Sequence, residues 1–474
     1  MFKNARKIRL LVLCLVFSTL LRPQAVQADS PLGMELTAGA AILIEAETGK
    51  VLYEKNAHQR MYPASTIKIL TAMILLDFFE PHEFITVGAE VHMTPPLSSV
   101  GGHFQGETLT VENAVRALFL PSGNDTSNTV ARAVATRSQP HGNMTIEQTE
   151  QYFAGLMNDL ARELGATNSN FVNAHGFHHP EQVATAADLA MITQAAIQNP
   201  VIARIAAETS FEGYGAGTLP DPDVRTRMYT WRSHNALLNE ESDFYFPYAT
   251  GFKTGFTTPA GHCLVATATK DGVTLISVVL YSDIPGRWID SIALFEYGFA
   301  TYAHQTVQQA GVLGEVTLQN VRLGYDDVLE FAVDLPFTAF LSEAELQRVQ
   351  RTFVFDEALI APPAENEGGG VEEEGETRII LLAPIEEGDF LGTVIYTLDG
   401  EIIHSDMLVA TRTVEERTFA SDMAYYWDLV TTFVFSLRGI ILGLGLLLFI
   451  IIVFIFISKI KGQRRRRNIY STRW

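Results

Sequence analysis

A serine and a lysine three residues apart, Ser65 and Lys68, stand at the start of an apolar run that continues to Phe79. Residues spaced i and i+3 on a helix share one face, so this spacing brings a hydroxyl and an amine together. A serine hydroxyl is a weak nucleophile and needs a base within hydrogen-bond reach. A lysine can be that base only when it is neutral, and burial lowers its pKa in the required direction. The pair predicts nucleophilic catalysis, with Ser65 as nucleophile and Lys68 as proton acceptor.

Two further polar motifs follow in the chain. Ser122-Gly123-Asn124 begins 57 residues after Ser65, and Lys253-Thr254-Gly255 begins 131 residues after Ser122. A Ser-x-x-Lys pair alone occurs by chance in a chain of this length, whereas three motifs in this order are specific. They match the set typical of penicillin-binding proteins and class A β-lactamases, with Gly123 in place of the central aspartate.

The hydrophobic pattern indicates the elements that must position these motifs. Val111 to Leu120 is apolar at helical spacing and ends before a proline, so Ser122 is predicted on a loop that leads into a second helix, Thr126 to Ala135. Apolar runs flank Lys270-Asp271-Gly272 and predict a hairpin, which puts Lys253 on the preceding strand. The three motifs are therefore expected on a helix start, a loop and a strand.

Further elements complete the predicted catalytic domain. They are a hairpin of Ala40 to Ile44 with Val51 to Tyr53, helices at Thr145 to Leu164, Thr185 to Gln198 and Trp288 to Tyr302, and a surface excursion at Phe211 to Arg227. This mixture predicts an α+β fold in which helices surround an antiparallel sheet.

The sequence after about residue 305 has the pattern of a small all-β domain. Its β-prone runs lie at Val316 to Leu323, Val328 to Val333, Thr352 to Phe355, Arg378 to Leu382 and Phe390 to Tyr396. The glutamate-rich run Ala364 to Glu376 predicts a solvated loop. These patterns place the catalytic domain at 29–304, a β-sandwich-like domain at 305–412 and a stalk at 413–437.

The two ends of the chain predict export and anchoring. Basic residues, an apolar run from Leu10 to Leu21 and small residues up to Ala28 predict a signal peptide at 1–28. Gly439 to Ser458 contains 20 residues without a charge, about 30 Å as a helix, which is enough to cross a bilayer. The arginine-rich cluster after it stays cytoplasmic by the positive-inside rule. We expect a single-pass cell-membrane protein with a transmembrane helix at 438–459, a basic cytoplasmic tail at 460–474 and an extracytoplasmic catalytic domain.

Composition and the remaining reactive residues exclude several classes. The net charge of −20 argues against nucleic acid as a partner. Removal of the signal peptide leaves Cys263 as the one cysteine, so no intrachain disulfide is expected, and its strand-like surroundings predict a core residue. His175, His178 and His179 lie close in sequence, but no His-Glu-x-x-His motif occurs, which disfavours a zinc peptidase. No metal or cofactor is expected.

Residues 33 to about 410 resemble the low-molecular-mass penicillin-binding proteins, which are serine D-alanyl-D-alanine carboxypeptidases with a catalytic domain of the β-lactamase type and a smaller C-terminal β domain. Besides the three motifs, the resemblance rests on Asn173-Ala174-His175-Gly176, on Gly251 to Thr257 and on Ala260 to Val265. In the β domain it rests on Ala383-Pro384 followed by Gly388 and Leu391-Gly392. The partners it implies are peptidoglycan stem peptides that end in D-Ala-D-Ala, with β-lactams as covalent inhibitors and the catalytic domain facing the cell wall.

The resemblance also implies roles for the motif residues. Ser65 would attack the carbonyl of the penultimate D-alanine to form an acyl-enzyme, and Lys68 would take its proton. Ser122 would relay a proton to the leaving amine, while Asn124 would bind the amide of the acyl part. Water would then hydrolyse the acyl-enzyme.

The Lys-Thr-Gly strand would bind the substrate. Lys253 would supply positive field, Thr254 would hold the terminal carboxylate, and Gly255 would belong to the same binding strand. The backbone N–H groups of Ser65 and Phe256 would form the oxyanion hole. Family members often carry histidine or tyrosine at the position of Phe256.

Two other functions remain open from the sequence. A β-lactamase shares the motifs, but the class A enzymes would require a deacylating glutamate in a Glu-x-x-Leu-Asn context after Ser122, which this chain lacks. A penicillin-recognising receptor or wall-binding module would be expected to carry a cytoplasmic signalling domain, and only 16 residues follow Ser458. The C-terminal anchor and the β domain favour the carboxypeptidase.

Overall fold

The computed structural model describes residues 32–140, 144–217, 224–361 and 379–470. The chain divides into two compact units, of which the first ends at Thr301 and the second begins at Tyr302. The predicted signal peptide, the predicted loop at Ala364 to Glu376 and part of the predicted excursion at Phe211 to Arg227 lie outside the described residues.

The first unit is built on a five-stranded antiparallel sheet in the order β2-β1-β9-β8-β7. Its strands are β1 Ala40–Glu45, β2 Val51–Lys55, β7 Ala249–Thr257, β8 Gly261–Lys270 and β9 Val273–Ser282. Strand β7, which carries the Lys-Thr-Gly motif, is at one edge of the sheet. Alternate backbone groups of this strand therefore face away from the sheet.

The first unit contains seven α-helices among its described residues. They are α1 Lys68–Phe78, α2 Val111–Phe119, α3 Asn124–Ser138, α4 Ile146–Glu163, α5 Ala186–Ala196, α6 Pro200–Ala206 and α7 Gly286–Thr301. Two small hairpins add β3 Phe84–Thr86 with β4 Thr108–Thr110, and β5 Ser210–Tyr214 with β6 Met228–Arg232. Short 3₁₀ turns lie at Ala64–Ile67, Ala89–Met93 and Ala236–Leu238.

Helices cover both faces of the sheet because successive strand residues point to opposite sides. On one face, Ile42 and Ile44 belong to the main core together with Leu70 of α1 and Leu189 of α5. On the other face, Leu43 lies against α7, close to Gly298. Because α1 packs into the core on one face of the sheet, its first residue, Lys68, lies inside the unit.

The second unit is mostly β-structure. A six-stranded sheet has the order β14-β16-β17-β12-β11-β15, and β10 pairs with β13 in a separate two-stranded sheet. The strands are β10 Tyr302–Gln308, β11 Gly311–Gln319, β12 Val328–Val333, β13 Phe337–Ser342, β14 Gln350–Phe355, β15 Ile380–Leu382, β16 Phe390–Leu398 and β17 Glu401–Ala410. A short helix α8, Glu343–Leu346, and a 3₁₀ turn, Glu357–Leu359, interrupt them.

Two helices end the described chain. Helix α9, Phe419–Phe435, occupies most of the predicted stalk. Helix α10, Leu437–Tyr470, contains the segment Leu437–Gly462, which is long and apolar enough to cross a membrane by its length and composition. The predicted membrane span lies within this segment.

Local predictions agree with the structure where the turn and cap chemistry is clear. Lys270 and Val273 pair across the predicted hairpin turn. Thr145 caps α4 with a capping box to Gln148, as its sequence signature predicted. Cys263 is fully buried on β8 and its thiol donates to the Ala260 carbonyl at 3.6 Å, which confirms its place in the core.

We predict that Asp290→Ala lowers the free energy of unfolding by about 3 kcal/mol, because Asp290 is fully buried and three donors would lose their acceptor. These donors are the Thr37 N–H, the Thr37 hydroxyl and the Ala38 N–H, at 3.2, 2.9 and 2.8 Å. Chemical denaturation of the detergent-solubilised chain measures the loss. The control Glu296→Ala, at an exposed position of α7, should change stability by less than about 0.5 kcal/mol. Equal losses in the two variants would contradict the assigned role of Asp290.

Candidate active site

Ser65 lies half-buried on the 3₁₀ turn that leads directly into α1. Two glycines let other segments approach this turn closely. A Cβ on Gly255 of β7 would lie 3.0 Å from the Ser65 backbone nitrogen, and a Cβ on Gly176 would lie 2.0 Å from the Ala64 carbonyl oxygen. Gly176 also has a φ of +81°, a conformation that favours glycine. The backbone around Ser65 is thus confined from two sides.

Lys68 is fully buried, and its Nζ has three oxygen partners. It lies 2.8 Å from Ser65 Oγ, 2.6 Å from Asn124 Oδ1 and 2.8 Å from the carbonyl oxygen of His175. Burial, and next the charge of Lys253, lower the pKa of Lys68 well below its ordinary value, while Asp125 offsets part of this effect. The structure therefore brings Ser65, Lys68 and Asn124 together as the motif spacing predicted.

Lys253 and Ser122 form a second pair. Lys253 is buried on β7, and its Nζ donates to Ser122 Oγ and to the Thr254 carbonyl, both at 3.0 Å. Burial and the nearby Arg287 lower the pKa of Lys253 to about 7. Ser122 stands on the loop between α2 and α3, as predicted, whereas Asn124 of the same motif is not on this loop but is the first residue of α3. Because its oxygen accepts a hydrogen bond from Lys253, its own proton remains available for another acceptor.

Asp125 organises the loop on the opposite wall. Its buried carboxylate accepts the N–H groups of Gly101, Gly102 and His103 at 2.6 to 3.1 Å, and that of Thr126 at 2.8 Å. The four N–H groups share this one carboxylate as their acceptor. Asp125 thereby fixes the segment before Phe104 beside the Ser122 motif.

Several of these residues line a cleft of about 520 Å³, whereas Lys68, Lys253 and Asp125 lie behind its lining. Ser65, Ser122, Asn124, Thr254 and Gly255 all reach it, as predicted. Phe256 lines it too, with 55% of its surface exposed and its ring stacked on His262 at 4.4 Å between centroids.

Three contributors to the site were not predicted from the sequence. The His175 carbonyl is a backbone atom, and only the resemblance drew attention to its segment. Arg287 at the start of α7 lines the cleft, and its buried Nε makes no hydrogen bond within the described residues. The imidazole of His234 lines it as well, and burial together with Lys253 and Arg287 lowers its pKa. No local pattern marks Arg287 or His234.

The three neighbouring histidines face different partners. His175 Nδ1 accepts the Phe177 N–H at 3.0 Å, and His179 Nδ1 accepts the Glu181 N–H at 3.2 Å. The ring of His178 packs edge-on against Tyr62.

The sequence matches the D-alanyl-D-alanine carboxypeptidase family, peptidase family S11, over residues 24–283, which is more than half of the chain. The chain belongs to this family. It is 28% identical over 418 residues to the D-alanyl-D-alanine carboxypeptidase DacC of Escherichia coli, covering 86% of this chain and 90% of that protein. It is 25% identical over 388 residues to DacF of Bacillus subtilis, covering 81% of this chain and 87% of that carboxypeptidase. The predicted kinship with low-molecular-mass penicillin-binding proteins and the predicted enzyme class are confirmed.

A solved carboxypeptidase structure supports the fold of both units. The crystal structure of DacD from Francisella tularensis aligns with a TM-score of 0.57 over 84% of this chain and 98% of that chain, at 23% identity. This similarity concerns the fold alone, and it confirms the predicted fold class.

We predict that Gly255→Ala slows covalent penicillin labelling of this carboxypeptidase by about fivefold, because the added methyl would move β7 a few tenths of an ångström away from Ser65, and a displacement of about 1 Å at a reaction centre costs about 100-fold. Gly155→Ala on α4 is the matched control, since nothing lies within 4 Å of its added Cβ. The labelling rate of each variant is measured under identical conditions. Normal labelling by Gly255→Ala would show that close approach at this glycine is not required.

Proposed function

We propose that the chain removes the terminal D-alanine from peptidoglycan stem peptides through an acyl-enzyme on Ser65, with Lys68 as the general base. The observation that carries the proposal is the set of oxygens around Lys68 Nζ. A neutral amine has two N–H donors and one lone pair. Asn124 Oδ1 and the His175 carbonyl can accept the two donors, so the lone pair is left for the Ser65 hydroxyl.

Activation of Ser65 follows from the lowered pKa of Lys68. In the neutral state Lys68 accepts the Ser65 proton as Oγ attacks the carbonyl carbon of the penultimate D-alanine. The resulting ammonium keeps all three oxygen partners, so proton transfer needs no rearrangement of the surrounding groups. Such preorganisation lowers the barrier because no groups must reorient as charge develops.

The backbone N–H groups of Ser65 and Phe256 are the proposed oxyanion hole. Ser65 lies at the start of a helical turn, where N–H groups have no partner within the helix. Phe256 lies on the edge strand β7, which Gly255 allows to approach the Ser65 nitrogen. Two fixed donors at this position would stabilise the negative oxygen of the tetrahedral intermediate.

Recognition of the terminal carboxylate is assigned to the cationic end of the cleft. Arg287 contributes an Nε without a hydrogen-bond partner in the described chain, and Thr254 adds a hydroxyl beside it. Lys253, buried on β7 and 3.0 Å from Ser122 Oγ, would contribute positive field. Asn124, whose Oδ1 binds Lys68, has its amide nitrogen left to meet the acyl part of the substrate.

The departing D-alanine needs a proton on its nitrogen. Ser122 Oγ accepts a hydrogen bond from Lys253, so Ser122 can pass its own proton to the leaving amine while it takes a proton from Lys253. Water then hydrolyses the ester of Ser65. In this hydrolysis, the attacking water returns a proton to Lys253 through Ser122, and Lys68 returns its proton to Ser65. A β-lactam would acylate Ser65 in the same way, but its leaving amine stays tethered near the ester and obstructs this water.

One observation weighs against the β-lactamase alternative. The cleft-lining residues within the described chain include no aspartate or glutamate. A carboxylate that activates a deacylating water is therefore missing from this lining, and we expect a long-lived penicilloyl ester. This separates the proposed penicillin-sensitive enzyme from one that destroys penicillin.

The proposed location follows from α10 and the flanking charges. Its apolar segment Leu437–Gly462 would anchor the chain in the cytoplasmic membrane, and the arginine-rich sequence after it would remain inside. The signal peptide at 1–28 would carry the catalytic unit across. We propose that the enzyme works on the outer side of the membrane, facing the cell wall.

The direct test compares Ser65→Ala with Ser98→Ala, since both serines line the cleft. Ser65→Ala should abolish release of D-alanine from a peptide ending in D-Ala-D-Ala and should abolish covalent penicillin labelling, because it removes the hydroxyl that lies 2.8 Å from the proposed base Lys68. Ser98→Ala should keep both activities within about tenfold, since the loss of a single contact costs about 1 kcal/mol. Activities are measured by free D-alanine and by intact-protein mass spectrometry.

Labelling that survives in Ser65→Ala would disprove the nucleophile assignment. Penicillin turnover by the unaltered enzyme in the range of about 1 to 1000 per second, typical of enzymes, would favour the β-lactamase instead.

A further inference from the structure

A second cavity, of about 510 Å³, lies behind the catalytic wall. We call it the rear cavity. It is lined by the 3₁₀ turn Ala89–Met93, by α3 and by the first turns of α4. The imidazole side of His175 reaches the rear cavity, whereas the carbonyl oxygen of the same residue binds Lys68. Its volume is in the range that holds small molecules.

Part of the lining is apolar. Met93, Ala131, Met144 and Ile146 all contribute to it. Methionine side chains adapt their shape to different ligands and provide polarisable contacts. This part of the rear cavity suits a compact hydrocarbon body.

The charged part of the lining is predominantly acidic. Glu90, Glu147 and Glu150 contribute three carboxylates, against one guanidinium from Arg132. That guanidinium is already engaged, because its Nε lies 2.9 Å from Glu90 Oε2 and it also donates to the Thr86 carbonyl. Glu147 and Glu150 therefore remain without a cation from the described lining.

His175 does not offset this negative charge. Its Nδ1 accepts the Phe177 N–H, so the neutral ring carries its proton on Nε2, which lies 3.7 Å from Glu150 Oε1. Burial and the charge of Lys68 lower the pKa of His175 to about 3, so the ring is neutral near pH 7. At this distance, the neutral His175 ring is a weaker partner for the Glu150 carboxylate than a cation would be.

Glu90 is not among the unused acceptors, because its Oε1 accepts the Gly88 N–H at 2.7 Å and its Oε2 lies 2.9 Å from Arg132 Nε. Glu150 is different. Burial, and next the charge of Glu147, raise the pKa of Glu150, while His179 partly opposes this. A donor that carries positive charge and lies beside Glu150 would stabilise its carboxylate.

We propose that the rear cavity binds an organic ammonium ion with a compact apolar body. The ammonium group would donate hydrogen bonds to the Glu147 and Glu150 carboxylates. The apolar body would lie against Met93 and Met144. The site is separate from the catalytic cleft, and its occupation does not depend on the proposed reaction.

The test uses three probes of equal size and different charge: cyclohexylammonium, cyclohexanol and cyclohexanecarboxylate. The full chain in zwitterionic detergent is labelled with ¹³C at its methionine methyl groups, and the signals of Met93 and Met144 are assigned through Met93→Leu and Met144→Leu. Met157, buried on α4 and outside the lining, serves as the internal reference. Cyclohexylammonium should shift the Met93 and Met144 signals saturably and leave Met157 unchanged. The alcohol should bind more weakly and the carboxylate weakest of all.

Charge variants identify the acceptors. Glu150→Gln should weaken cyclohexylammonium binding about fivefold, the upper range for a partly exposed ion pair, and Glu147→Gln should weaken it by a similar or smaller factor. The control Glu163→Gln, at the exposed far end of α4, should leave the affinity unchanged.

Three results would overturn the proposal. The first is equal binding of all three probes, and the second is unchanged affinity in both Glu150→Gln and Glu147→Gln. The third is loss of the Met93 and Met144 shifts once penicillin has acylated Ser65, since this would place the probe in the catalytic cleft.

Discussion

The active site depends on the hydrogen bonds between the buried amine of Lys68 and three protein oxygens. Lys68 has no exposed surface, and its Nζ contacts a serine hydroxyl, a side-chain amide oxygen and a backbone carbonyl. Two of these oxygens can only accept hydrogen bonds, so a neutral Lys68 would direct its lone pair to the third, which belongs to Ser65. Burial lowers the pKa of Lys68, and the three partners would set the direction of the proposed proton transfer.

The fold supports this arrangement at a cost in solvation. Lys68 and Lys253 are both buried, and each disfavours the charged state of its neighbours through like-charge repulsion. The nearby Asp125 offsets part of this repulsion while its own charge is held by four N–H donors. The glycines at 176 and 255 then allow two segments to close on the Ser65 turn. The burial of α1, the Asp125 hydrogen bonds and the close packing at the two glycines thus all help to hold Ser65 next to Lys68.

Motifs that are local in sequence were predictable, because spacing on a helix or a two-residue hairpin turn fixes their geometry. Ser65 with Lys68, and the turn at Asp271, are of this kind. Contributions from distant backbone atoms were not, and the His175 carbonyl is the main example. Strand β17, Glu401–Ala410, was also missed, since His404, Ser405 and Asp406 interrupt its apolar pattern while pairing with β16 still makes it a strand. The domain boundaries and the individual residue roles remain predictions.

The central claim is that Lys68 is neutral when Ser65 attacks the substrate or penicillin. The pH dependence of the rate of penicillin acylation, followed by mass spectrometry of the Ser65 adduct, tests it most directly. Neutral Lys68 is the active form, so the rate rises with pH up to its pKa and then stops rising. Since that pKa lies well below the ordinary 10.5, the account predicts that the rate stops rising before the pH reaches the range in which an ordinary lysine loses its proton. A rate that still climbs about tenfold per pH unit up to about pH 10, as for an ordinary lysine base, would contradict it.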